Sequence, residues 1–263
     1  MTMQTMSFGD VDVSIHDDFV AVVEIRRPPN NFLDINVIAE IAEAYEALDE
    51  ENRCRALVLC SEGRHFCAGA DLSGRPNSTS DPSRPGRHLY DEAVRLVDSR
   101  KPVVAAVQGA AVGGGLGLAL SADFRIAAPE ARFTANFAQL GFHHGFGLTV
   151  TLPPVIGQQK ANELLFTGRR LNGEEAAGIG LCDRLVPRGD LRQAAIAWAR
   201  EIAQAAPLAV TAIRKTMRGD LSDRVRQATR RERSEQDVHR TTSDRAEGIQ
   251  ASHDRRPPRF TGT

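Results

Sequence analysis

Residues 103–118 read VVAAVQGAAVGGGLGL. Residues 103–107 form a short apolar run with β-branched character, bounded by a glycine, and this pattern predicts a buried strand. The glycines that follow open a predicted helix. A glycine-rich helix start presents unpaired N–H groups and the positive end of the helix dipole, which suits a ligand carrying negative charge. No Gly-Lys-Ser/Thr follows, so the segment is not a nucleotide P-loop. It also lacks the spacing and downstream acid of a dinucleotide fingerprint. Close helix packing explains three glycines alone equally well.

Moving outward, residues 56–60 (ALVLC) form a second short buried strand that leads into residues 65–72, HFCAGADL. Small residues there let the backbone approach a ligand, since no Cβ bulk intervenes; a tight strand-to-helix turn is the plain alternative. Before it, Val20–Ile25 (VAVVEI) reads as a strand ending in the turn signal Arg27-Pro28-Pro29-Asn30. Asp34 is placed to cap a helix whose apolar positions Ile38, Ile41, Tyr45 and Leu48 recur at helical spacing. Phe124–Ala127 supplies a fourth strand. Strands separated by helical patterns predict parallel pairing through right-handed crossovers.

Residues 73–86 are crowded with Ser, Pro, Gly and Arg and read as a mobile loop beside a site. From residue 158 the chain turns mostly helical, over 160–166, 174–177, 191–205 and 208–217, with Pro207 in a first turn where its missing N–H costs nothing. The Arg-rich residues 224–233 read as a solvated or intersubunit helix face. The pattern shifts near Gly157.

The 263 residues suit one α/β domain or such a domain with a helical appendage, and the net charge of −1 argues against a general nucleic-acid binder. Residues 1–10 lack a basic segment followed by an apolar one, so no secretory signal is expected. The longest apolar stretch, 103–122, is broken by Gln108 and glycines and runs into Asp123, so no membrane span is expected. Cys54, Cys60, Cys67 and Cys182 include no CxxC pair, and the seven histidines include no HxxxH pair. Buried thiols in a reducing cytoplasm, with no metal and no redox cofactor, are therefore expected.

Taken together, the ordered matches resemble the crotonase (enoyl-CoA hydratase/isomerase) superfamily over nearly the whole chain. They are Arg27-Pro28, FCAGADL (66–72), KPVVAAVQG (101–109), GGG (113–115), SAD (121–123), LFTG (165–168) and RPPRFTG (256–262). The resemblance implies an α/β fold: a crotonase-like ββα spiral core over 1–200 that holds an acyl-CoA site, and a helical C-terminal trimerisation region over 201–263. It implies a homotrimer or hexamer, with coenzyme A entering as part of the substrate. It places the backbone N–H groups of Ala70 and Gly114 in an oxyanion hole, with Ala68, Asp71 and Leu72 along the acyl-CoA channel. Pro29 and Asn30 fall in part of an adenosine pocket, and Lys101, Arg255, Arg256 or Arg259 are candidates for CoA phosphates.

The same alignment places Gly117 and Phe137 where family hydratases carry two glutamates. Neither residue can move a proton. General acid–base groups contribute about 10²–10⁴-fold, so efficient two-glutamate hydration is not expected. His143 and His144, in the segment 141–147, are the remaining candidate acid/base pair, because histidine titrates near neutrality; one packing and the other facing solvent is the alternative. Asp71 and Asp123 read as structural, and Glu130 and Gln139 as weaker candidates. Isomerase, decarboxylase or C–C hydrolase chemistry on a thioester is one reading. A non-catalytic acyl-CoA-binding protein is another, and an assembly subunit without a ligand is a third.

Overall fold

The computed structural model describes residues 4–72 and 79–263. The predicted strands and helices form where the sequence patterns place them. In chain order the elements are β1 (Gln4–Phe8), β2 (Val11–Ile15), β3 (Val20–Ile25), α1 (Ile35–Glu50), β4 (Ala56–Ser61), α2 (Leu89–Asp98), β5 (Val103–Val107), β6 (Ala110–Val112), α3 (Gly114–Ser121), β7 (Phe124–Ala127) and β8 (Arg132–Thr134). Then come α4 (Leu148–Thr151), α5 (Pro153–Ile156), α6 (Gln158–Thr167), β9 (Leu171–Asn172), α7 (Gly173–Gly178), β10 (Arg184–Leu185), α8 (Leu191–Ala203), α9 (Pro207–Arg218), α10 (Leu221–His239) and α11 (Ser243–Asp254).

Seven strands form one sheet in the order β1-β2-β3-β4-β5-β7-β10. The first three pair antiparallel, and pairing from β3 through β4, β5, β7 and β10 is parallel. Parallel strands buried on both faces read as near-continuous apolar runs. In β3 and β4, accordingly, Ala21, Val23, Leu57 and Leu59 join the core on one side. Val20, Val22, Ala56 and Val58 face the α8 residues Leu191, Ala195, Ile196 and Ala199 on the other. Asp34 caps α1 as expected, accepting from the Val37 N–H at 3.0 Å.

After β3, β4, β5 and β7 the chain crosses into a second, short-stranded layer. There β6, β8 and β9 pair, and single bridges join Leu33 to Ala70 and Cys67 to Ala111. This repeated strand–crossing–helix course is the predicted α/β spiral. It also stacks the turn at 67–70 beside the start of α3.

The helices after residue 157 divide their attachments. α8 lies on the large sheet, α10 packs on α2 and α4, and α11 packs on the 3-10 turn Ala138–Leu140. α9 is tied down by charge. Arg214 and Arg218 both pair with Asp123 at 2.8 Å, and Arg218 also donates to the Val97 and Ser121 carbonyls. Burial opposes the Asp123 charge, but the two arginines hold its carboxyl below the ordinary range. Asp123 is therefore structural, as read from sequence. Of the loop predicted over 73–86, residues 73–78 lie outside the described residues; residues 79–88 form turns in which Asp81 accepts from Ser83 and Asn36.

Candidate active site

The two small-residue turns meet because glycine removes the atoms that would keep them apart. A Cβ on Gly115 would lie 2.3 Å from the Cys67 carbonyl oxygen, inside any real contact. With no side chain there, the first turn of α3 presses against the 67–70 turn. The backbone bonds Val112 N–H to Cys67 O (3.0 Å), Cys67 N–H to Ala110 O (2.8 Å) and Leu33 N–H to Gly69 O (2.8 Å) fix the register.

Beside this junction lies a cavity of about 410 Å³. Ala68, Ala70, Asp71, Leu72, Gly114 and Phe137 all border it, so six of the residues singled out in the sequence come together. Among the described residues, the Ala70 and Gly114 N–H groups donate to no backbone carbonyl, whereas Ala68, Gly113, Leu116 and Gly117 all donate. Gly114 is also the first residue of α3, where the helix dipole is positive. Two free donors at one cavity wall are suited to a developing oxyanion.

Gly117 lies behind the wall. A Cβ there would sit 2.5 Å from Phe146 Cδ1 and 2.7 Å from Phe146 Cβ, so the Phe146 ring occupies the space a side chain at 117 would need. Phe146 is buried with φ 63°, held between Gly145 and Gly147. Phe137 packs edge-on to Phe142, with ring centroids 5.7 Å apart, and both line the cavity. Gly117 and Phe137 are thus surrounded by apolar side chains.

The structure does not bring His143 and His144 to this cavity. The turn that sends Phe146 inward sends both histidines toward α10. His143 Nδ1 donates to the His144 carbonyl at 2.7 Å, and His144 Nε2 meets Thr149 Oγ1 at 2.8 Å. Thr149 Oγ1 in turn donates to the buried Glu232 at 2.6 Å, and Glu232 also accepts from the Gly147 N–H at 2.8 Å. Because the Thr149 proton goes to the carboxylate, His144 must donate through Nε2. Burial, then the neighbouring His143, lowers the His144 pKa to about 4, so it is neutral at physiological pH. These groups fasten the loop to α10.

Pro29 and Asn30 do not line the cavity either; the Asn30 carbonyl accepts from the Ala68 N–H at 2.9 Å, so that turn supports the wall from behind. Lys101, offered as a phosphate ligand, instead donates to the Leu48 and Glu51 carbonyls and closes the end of α1. Arg256 pairs with Glu247 and Asp254. Gln139 donates to the Thr167 carbonyl. All four cysteines are free and buried, and burial pushes Cys54, Cys60 and Cys67 up to about 12 and Cys182 to about 11. Burial thus favours the neutral thiol over the nucleophilic thiolate. Among the described residues, no cluster of His, Cys, Asp and Glu could hold a metal.

Among the lining residues that the sequence reading did not single out are Leu33, Tyr90, Asn136, Gln236, Arg240 and Arg245. Tyr90 donates to Gln236 Oε1 at 2.9 Å, and Gln236 Nε2 donates to the His143 carbonyl at 2.9 Å, tying α2, α10 and the loop into one wall. Gln236 lies near the end of α10 and Arg240 just past it, both beyond the Arg-rich stretch 224–233, and no local signal marks either.

Comparison with known proteins gives the chain's relatives. The enoyl-CoA hydratase/isomerase family model matches residues 16–263. A probable enoyl-CoA hydratase of Bacillus subtilis is 31% identical over 94% of this chain and 96% of its own length. A peroxisomal fatty acid beta-oxidation multifunctional protein of Arabidopsis thaliana is 36% identical over 74% of this chain, which spans only 27% of that protein. Two further plant multifunctional relatives are likewise spanned over 30% of their length. Among solved structures, an enoyl-CoA hydratase/isomerase from Pseudoalteromonas atlantica superposes with a TM-score of 0.86 at 28% identity, covering 96% of this chain and 100% of the other.

Proposed function

This chain belongs to the enoyl-CoA hydratase/isomerase family, and from that premise we propose that it binds an acyl-CoA thioester and stabilises its oxyanion or enolate through the Ala70 and Gly114 N–H groups. One observation carries the reading: two backbone donors without backbone acceptors border the same cavity, one of them at a helix N-terminus. An acyl thioester gains negative charge on its carbonyl oxygen in reactions at its α or β carbon. Preplaced donors stabilise that charge, each being worth about 10²–10³-fold.

Two-glutamate hydration of an enoyl thioester is not the activity we assign. Position 117 has no side chain and its space is filled by Phe146, while position 137 is a phenylalanine. Asp71 is the one carboxylate among the described residues lining the cavity. Isomerisation, decarboxylation and C–C cleavage of a β-keto thioester all pass through the same stabilised oxygen and are the classes we assign. A non-catalytic acyl-CoA-binding protein is the second reading, favoured by the apolar residues at both glutamate positions. Coenzyme A enters with the substrate in either case. The four buried reduced thiols support a reducing compartment such as the cytoplasm.

The test compares Gly114→Pro with Gly114→Ala in a mass-spectrometric screen of CoA thioesters. Proline is tolerated at a first helical position and differs from alanine there chiefly by lacking the N–H. Both carry a Cβ, which at this position would lie 3.3 Å from Leu33 Cδ1. We expect turnover by the proline variant to fall about 10²–10³-fold below that of the alanine variant. Equal turnover would remove Gly114 from the mechanism. Binding without product from any thioester would leave the second reading.

A further inference from the structure

We infer that the acyl group this cavity accepts carries a carboxylate at the end remote from the thioester, received by Arg240 and Arg245. The inference rests on the acyl-CoA reading above and names the substrate class within it.

Most of the cavity beyond Ala70 and Gly114 is apolar, formed by Leu33, Leu89, Leu140, Phe137, Phe142 and Ile249. Two guanidinium groups interrupt that lining. Arg240 follows the last turn of α10, and Arg245 lies in the first turn of α11. Arg240 has one exposed partner, Asp237 at 3.0 Å. The guanidinium of Arg245 has no ion pair or hydrogen bond among the described residues; its Cζ lies 5.7 Å from the centre of the Phe142 ring, and its own backbone N–H is spent on Thr242. Residues 73–78, outside the described ones, contain no Asp or Glu that could neutralise it.

Burial, and next the charge of Arg240, hold the Arg245 guanidinium below its ordinary pKa. Arginine stays protonated nonetheless. A half-buried cation beside a second cation, facing an apolar cavity, is a charge arrangement that an incoming anion relieves. Carboxylate matches it best, because the planar guanidinium binds both carboxylate oxygens at once. A carboxylate in so apolar a space would be excluded by desolvation unless such partners were present.

Asp71, the acid lining the cavity, precedes a residue that is bonded to the far end of α11. His253 donates to the carbonyl of its neighbour Leu72 at 3.1 Å, and His253 lies eight residues, or about 12 Å, along the helix from Arg245. The cationic annex continues outward: Arg240 and Thr79 also border a second cavity whose walls include Arg233 and Arg87. An acyl chain ending in methyl has no use for this wall.

Coenzyme A phosphates are the other source of anionic charge, and the experiment separates the two. Calorimetric affinities of the full chain are measured for diacid thioesters from succinyl- to suberyl-CoA against mono-acid thioesters of equal length. They are then repeated with Arg245→Gln, Arg240→Gln and Arg245→Lys. We expect the best diacid to bind wild type at least about 10-fold more tightly than its mono-acid partner, as one charge-assisted pair provides. Either glutamine variant is expected to bring that ratio toward unity, and lysine to restore part of it. Equal affinity for diacids and mono-acids in wild type overturns the inference. So does a glutamine variant that weakens both series alike but leaves 3′-dephospho-CoA thioesters unaffected, since the arginine then meets the nucleotide. If no thioester of either series binds, the acyl-CoA reading itself fails, and the carboxylate assignment goes with it.

Discussion

At position 117, where the family resemblance leads one to expect an acid, the space around the glycine can be read directly. A glycine could be an empty space waiting for a side chain, but here the space belongs to Phe146, whose ring begins 2.5 Å from where a Cβ would be placed. Gly117→Glu alone is therefore expected to cost about 1–3 kcal/mol by overpacking, read from urea denaturation. Adding Phe146→Gly should recover part of that loss, because glycine adopts the positive φ of residue 146 without strain and removes the ring. Only the triple variant with Phe137→Glu is expected to hydrate crotonyl-CoA measurably, followed by loss of the conjugated thioester absorbance. Robust hydration by the unaltered chain would show that the account of the missing acids is wrong. The residue pattern GGG-x-G announces a close-packed helix start, but nothing in it names Phe146 as the neighbour. That fact depends on a turn some thirty residues away.

At the scale of elements, the loop between the 3-10 turn and α4 is held to α10 by a relay of hydrogen bonds, His144 to Thr149 to Glu232. Thr149→Val breaks the relay in the middle and is expected to lower the unfolding free energy by roughly 1–3 kcal/mol, because Glu232 stays buried with one donor fewer. The pH dependence has a definite sign. His144 has a folded pKa of about 4 against an ordinary value of 6.5, so the unfolded chain takes up its proton first. The stability associated with its neutral form is complete above pH 6.5 and is shed as the pH falls from 6.5 toward 4. Glu232 acts in the opposite sense: burial raises its pKa despite bonds from Thr149 and Gly147, so its proton is taken up earlier in the folded chain. Melting temperatures across pH 7 to 4 should therefore show a His144 slope that His144→Gln lacks. An unchanged slope in that variant would assign the dependence elsewhere. The same loop also meets the cavity wall, since the His143 carbonyl accepts from Gln236 Nε2.

Over the whole molecule, α9 leaves large apolar side chains uncovered among the described residues: Leu208, Ile213 and Met217 are 84%, 62% and 81% exposed, with Ile213 and Met217 on one side and Leu208 on the other. Large side chains repeated along one helix at this exposure mark an interaction surface. The assembly expected from the sequence, a homotrimer or hexamer, would cover them. Light scattering should give three or six times the mass of the chain, and Ile213→Glu with Met217→Glu should shift it toward the monomer. A monomeric wild type would discard the assembly. Among the described residues, no helix is long and apolar enough to cross a membrane.

The sequence by itself determined what depends on neighbours along the chain. The β-branched runs of β3 to β5, Asp34 as the cap of α1, the small-residue turns at 67–70 and 113–115, and the presence of glycine at 117 and phenylalanine at 137 are all local. Backbone donors were legible for the same reason: an N–H group belongs to the turn that exposes it. Tertiary structure alone decided which side chains complete the cavity. Phe146 rather than His143 or His144 turns inward because Gly145 and Gly147 permit that path and α10 holds the histidines. Gln236, Arg240 and Arg245 reach the site from helices whose charged pattern matches any solvated surface. Contacts between segments more than a hundred residues apart leave no period in either one.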